Sequence, residues 1–197
     1  MNHVSPAQDM LFSPIRTTEA MMHEGIGWRR VWPMLLGVPA LLTLAVALST
    51  LQGGPKASIL GILLILLAAV CYGAWDGWSY PKLLAAYARL FGLTVTEEHV
   101  RFGMAWGTLP ALYAAVPFLI AALALSAGPH GAALFLLGAG LTIGLVLMAW
   151  SVLTVVGALA GALQTTVLPT LGLILLTNVT FSAFYKLLMM LAGTLLP

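Results

Sequence analysis

Residues 131–164 read GAALFLLGAGLTIGLVLMAWSVLTVVGALAGALQ, a stretch without one charged side chain. A helix crosses the roughly 30 Å hydrocarbon core of a bilayer with about 20 mostly apolar residues. The run is therefore longer than one perpendicular crossing requires. Two readings satisfy it: one long tilted helix, or a span followed by a second short hydrophobic segment, which allows six crossings. The rest of the chain shares its character. Hydrophobic residues make up 61% and charged residues 7%, with a mean hydropathy of +1.03. A water-soluble domain carries about 25% charged residues, so lipid must solvate much of this chain. The expected fold is all-α: a polytopic integral membrane helical bundle in a single membrane domain, 1–197.

Working outward, four further apolar stretches qualify as spans. They run from about Val31 to Thr50, Ser58 to Trp78, Met104 to Ser126, and Val167 to Leu196. With the run at 131–164 this makes about five transmembrane helices, the bundle proper covering 31–196. A tail, 1–27, precedes them, and a polar connection, 81–103, joins the second span to the third. Lys and Arg are retained on the cytoplasmic side. Arg16, Arg29 and Arg30 precede the first span, and Lys82, Arg89 and Arg101 lie in the connection. An even number of crossings separates the two groups. The N-terminus is thus expected in the cytoplasm and, with five spans, the C-terminus outside. Trp28, Trp32, Trp75, Trp78 and Trp106 all fall at the same expected interface, as the headgroup preference of tryptophan requires.

Isolated polar residues within such a chain are the candidates for function. Asp76 lies about 27 Å along the second span from Ser58 at 1.5 Å per residue, which makes it a wetted interfacial carboxylate rather than a buried ion site. Lys186, about 28 Å from Val167 on the same rise, is expected near the outer interface with its stem snorkelling. Asn178, Ser182 and Tyr185 stand at i, i+4 and i+7 on the last span, with Lys186 beside them. Interhelical hydrogen bonding is the first reading of this polar stripe, and a lining for a solute or lipid pathway the second.

Two short amphipathic helices are expected on the cytoplasmic surface. In LFSPIRTTEAMMHEG, Ser13 is a candidate N-cap with Pro14 at the first helical position. Leu11, Ile15, Thr18 and Met22 share one side, which suits a helix lying at the interface or docking on a partner subunit. PKLLAAYARLFG, after Pro81, gives a similar element. Thr94 and Glu97 form a T-x-x-E capping box leading into the third span. Gly140 and Gly144, Gly157 and Gly161, and Gly103 and Gly107 are small-xxx-small pairs that let helix backbones approach. Pro110 and Pro117 are expected to bend the third span.

Catalytic patterns are missing from the sequence. His3, His23, His99 and His130 include no pair at metal-ligand spacing, none lies at mid-membrane to hold a haem, and there is no phosphate-binding loop or nucleophile elbow. No catalytic, cofactor-binding or metal residue is assigned, and the chain is read as no enzyme. The single cysteine, Cys71, reads as a small packing residue. A net charge of +2 gives no reason to expect nucleic acid.

The order of "SPIRTTEAM" before the tryptophan-led "WRRVWPMLLGVPALL", then "VTEEHVRFGMAWGTLP" and "MAWSVLTVVGAL", resembles the Yip (Ypt-interacting-protein-like) family of five-span membrane proteins, in its bacterial type. The acidic, tyrosine- and proline-bearing motif of the eukaryotic members is missing, so GTPase binding is not carried over. The resemblance implies an N-inside bundle in the bacterial inner membrane without catalytic residues or cofactor. The expected role is that of scaffold, assembly factor or accessory subunit, with the bilayer and other membrane subunits, or further copies of the chain, as expected partners. A small transporter or channel is the alternative.

Overall fold

Three of the described helices, of 32, 32 and 29 residues, are longer than the roughly 20 residues that one crossing needs. The computed structural model describes residues 6–24, 32–38, 40–41, 59–126 and 131–195. In order, the helices are α1 (Pro6–Phe12), α2 (Pro14–His23), α3 (Ile59–Leu90), α4 (Glu97–Gly107), α5 (Leu109–Ser126), α6 (Gly131–Ala162) and α7 (Val167–Leu195). Residues 32–38 are also helical, and no strand occurs among the described residues.

The uncharged run resolves into one helix. The 32 residues of α6 extend about 48 Å, so the helix must tilt in a bilayer or project from it. It ends in a Schellman turn, in which Thr165 N–H donates to Ala160 O at 3.0 Å and Gln164 N–H to Gly161 O at 3.2 Å. Gln164 takes the left-handed position at φ 49°, which usually falls to glycine. The same turn ends α3 with Gly92 at φ 81°.

Among the described residues three helical stretches are long and apolar enough to cross a membrane: Glu97–Ala124, Gly131–Ala162 and Val167–Phe184. Five spans were expected. Most of the first, after position 41, lies outside the described residues, as do several side chains along the first half of α3. The α4–α5 stretch is the most enclosed of the three, while the most apolar parts of α6 and α7 face largely outward and the end of α6, from Val156 to Ala162, is buried. A row of exposed Leu, Ile, Val and Phe runs along both.

Glycine decides the packing. A Cβ added at Gly140 would stand 2.6 Å from Pro117 O, and one at Gly107 would stand 2.5 Å from Val155 Cα. Backbones therefore touch at both places, and α5 and α4 lie along successive parts of α6. The third glycine pair receives the N-terminal helix. There α2 is seated on Gly157 and Gly161 of α6, with Pro14 and Ile15 against them. It buries Thr17, Thr18 and Met21, while Leu11, Ile15 and Met22 of the expected apolar face are half-buried. A helix one methyl thinner at two positions allows continuous backbone contact with its neighbour. The indole of Trp150 reinforces the seat, its Nε1–H donating to Leu11 O at 3.0 Å.

Proline acts differently at positions 81, 110 and 117. Pro81 lies inside α3, which continues to Leu90, so the expected separate helix after Pro81 is the same helix. The proline ring crowds the carbonyl four residues back, and that residue is Gly77. Beside it Ser79 Oγ donates to Trp75 O at 2.7 Å. Pro110 separates α4 from α5 at Thr108. Pro117 remains inside α5. The cap before α4 is Thr96, whose hydroxyl accepts from His99 N–H at 3.3 Å, and not the Thr94–Glu97 box. Glu97 instead pairs with Arg101 at 3.2 Å.

A core of Leu84 and Ala88 from α3, Val100 from α4, Leu159 and Leu163 at the end of α6, and Leu173 from α7 ties the four helices together. A second cluster joins Met10 and Met21 to Leu35, Phe102 and Ala158.

Candidate functional site

The inward face of α7 is a threonine stripe. Thr170 and Thr177 are fully buried, with Leu173 between them. Each hydroxyl bonds back to the carbonyl four residues earlier, at 2.9 Å for Thr170 and 2.7 Å for Thr177. This is how a hydroxyl is satisfied inside an apolar bundle without a partner helix. Thr180 continues the pattern, donating to Leu176 O at 3.0 Å. Its one proton is thereby used, so Tyr87 of α3 donates to Thr180 Oγ1 across the 2.8 Å gap.

The expected polar stripe lies beside this one and points elsewhere. Asn178, Ser182 and Lys186 are exposed. Asn178 and Ser182 line one wall of a groove of about 500 Å³ between α3, α4, α6 and α7. Ser151 of α6 and Tyr80 of α3 supply further polar groups, and Met104, Met148 and Phe181 are among its apolar lining. Tyr80 and Phe181 meet edge-on at 6.0 Å. The structure thus brings Asn178 and Ser182 together with Ser151 and Tyr80, which periodicity on α7 alone does not reveal. Ser151 is legible only as a polar position in the uncharged run. Lys186 is not in the groove wall, and the side chain of Tyr185 lies outside the described residues.

Asp76 lies in α3, with its side chain also outside the described residues. Its neighbours take the arrangement of an interfacial belt. Trp75 and Trp78 are about half exposed, at 51% and 50%, with ring centroids 5.9 Å apart. Lys82 Nζ stands 3.8 Å over the Trp78 ring, a cation–π contact. Trp106, expected at the same interface, is turned inward against Phe102 at 6.4 Å. Its Nε1–H is buried without a hydrogen-bond partner among the described residues. Cys71, expected to pack, is exposed.

A small polar cavity of about 210 Å³ opens near the α6–α7 turn, lined by Glu19, Met22, His23, His99, Gly161 and Gln164. Among the described residues no three His, Cys, Asp or Glu side chains are grouped to hold a metal ion.

Together these features define a helical bundle with apolar outer faces and an amphiphilic groove between α3, α4, α6 and α7. The chain matches no protein-family model, no curated protein and no solved structure.

Proposed function

We propose that this chain is a non-catalytic membrane protein that assembles with other membrane spans, as a scaffold, assembly factor or accessory subunit. The observation that carries this is the state of Asn178 and Ser182. Both are exposed on a helix whose outward residues around them are mostly apolar, Lys186 apart, and neither makes a hydrogen bond among the described residues. A polar group facing hydrocarbon is costly, and a span from another subunit can answer it, at about 0.6 kcal/mol for each contact. The uncharged groove beside them accepts a helix side-on. The partner is another membrane subunit or a further copy of this chain. A Yip-like, N-inside arrangement in a bacterial inner membrane agrees with the basic residues flanking the apolar stretches.

A transporter of a solute or lipid is the second reading, favoured by the groove itself, whose Ser151, Asn178 and Ser182 lie among apolar walls. The double variant Asn178→Leu with Ser182→Ala separates the two. Extracted in native membrane patches and weighed by native mass spectrometry, wild type is expected in a larger assembly and the variant as a monomer. An unchanged assembly together with loss of solute or lipid flux in vesicles replaces the first reading with the second.

A further inference from the structure

A second groove, of about 460 Å³, adjoins the first, sharing Val152 and Val156 with it, and is closed off by the corner between α1 and α2. Val152 and Leu153 of α6 and Val167 and Leu171 of α7 form its apolar walls, and all four are exposed. Its only polar side chains are Ser13 and Arg16. Arg16 is exposed, and no carboxylate pairs with it among the described residues, although Glu19 follows one turn later on α2. Ser13 makes no side-chain cap bond, which leaves its hydroxyl available to a ligand. The indole of Trp150, a residue type that seeks the headgroup level, is fixed to Leu11 O just beyond the corner.

We infer that this groove binds an anionic phospholipid, with the phosphate against the Arg16 guanidinium and the Ser13 hydroxyl and an acyl chain along Val152, Leu153 and Leu171. Charge complementarity selects the occupant. One unpaired guanidinium at the mouth of an otherwise apolar slot matches an amphiphile with a negative head, and guanidinium bonds phosphate oxygens in pairs. A second protein helix would leave Arg16 without a counter-charge, and a soluble phosphate would leave the apolar walls uncovered. The inference rests on Arg16 and Ser13, which line this groove alone, and not on Asn178 and Ser182, which line only the other, although Val152 and Val156 are common to both.

The test is lipid retention by the full chain in nanodiscs and in detergent, read by native mass spectrometry with phosphatidylglycerol and phosphatidylcholine offered in equal amounts. Wild type is expected to retain phosphatidylglycerol about five-fold better. Arg16→Gln is expected to abolish that preference, and Arg16→Lys to keep part of it. Arg89→Gln, which removes another exposed arginine on α3, is expected to keep it entirely. Leu153→Trp, filling the slot, is expected to lower retention of both lipids. Monodisperse elution of each variant confirms that it folds. Inorganic phosphate at the same concentration is expected to compete for none of the bound lipid, and full competition would assign the site to a free anion. Equal retention of the two lipids by wild type, an unchanged preference in Arg16→Gln, or an equal loss in Arg89→Gln would each overturn the inference.

Discussion

Seating α2 on two glycines of α6 makes a sharp prediction for Gly161→Ala. The new methyl would stand 2.5 Å from Ile15 O and 3.1 Å from Ile15 Cα. Both are backbone atoms and cannot swing aside as the end of a flexible side chain does. Restoring ordinary contact requires α2 to move outward by about 1 Å. Overpacking of this kind costs about 1–3 kcal/mol. Taking about 2 kcal/mol, the population with α2 detached rises about thirty-fold. Trypsin cleavage after Arg16 reads that population, since cleavage follows the open fraction when opening and closing are fast. Gly138→Ala is the control on the same helix. Nothing lies within 4 Å of its added Cβ, and replacing glycine by alanine in a helix is worth about 0.5–1 kcal/mol of stability. Gly161→Ala should therefore be cut about thirty times faster than wild type and Gly138→Ala no faster. Wild-type cleavage rates in Gly161→Ala, or the same acceleration in both variants, would refute the docking of α2.

Two further outcomes follow from the α4–α5 break and from the outer surface. Thr154 is buried, and its hydroxyl reaches Gly107 O on α4 at 2.7 Å, nearer than its contacts to Ser151 O at 3.0 Å and Trp150 O at 3.3 Å. Thr154→Val should cost about 1 kcal/mol, seen as a lower unfolding midpoint in detergent, and Thr154→Ser should recover most of it; equal midpoints for Val and Thr would show that the bond contributes nothing. Cys71, exposed on α3, should react with a charged methanethiosulfonate reagent only after the membrane is dissolved, and full-rate labelling in intact vesicles would put it in water.

The helix break at Pro110 shows how local rules and neighbours divide the work. Proline lacks the N–H that would return to Trp106 and disfavours helical geometry in the residue before it, so a bend is legible from sequence. Which group answers the loosened carbonyls is not legible. Thr154, 47 positions away in the chain, does so only because Gly107 brings α4 against α6. The polar stripe on α7 divides in the same way. Spacing places Asn178 and Ser182 together on one face, whereas Ser151 and Tyr80 join them only through the packing of α6 and α3. Spacing also leaves open whether that face looks inward or outward, and the threonines at 170 and 177 take the inward side.

The sequence by itself determined the solvent and the secondary structure. With 7% charged residues the chain cannot clothe itself for water, and runs of apolar residues in lipid must form helices to satisfy their own backbones. The small-xxx-small pairs were visible as places of close approach, though without partners. Only the tertiary structure decided that the N-terminal helix occupies one of them, that α3 runs through Pro81, and that Trp106 turns inward while Cys71 turns out. In an apolar chain nearly every helix face is hydrophobic, so periodicity no longer tells inside from outside. The choice falls instead to where glycine lets two backbones meet, and that depends on both helices at once.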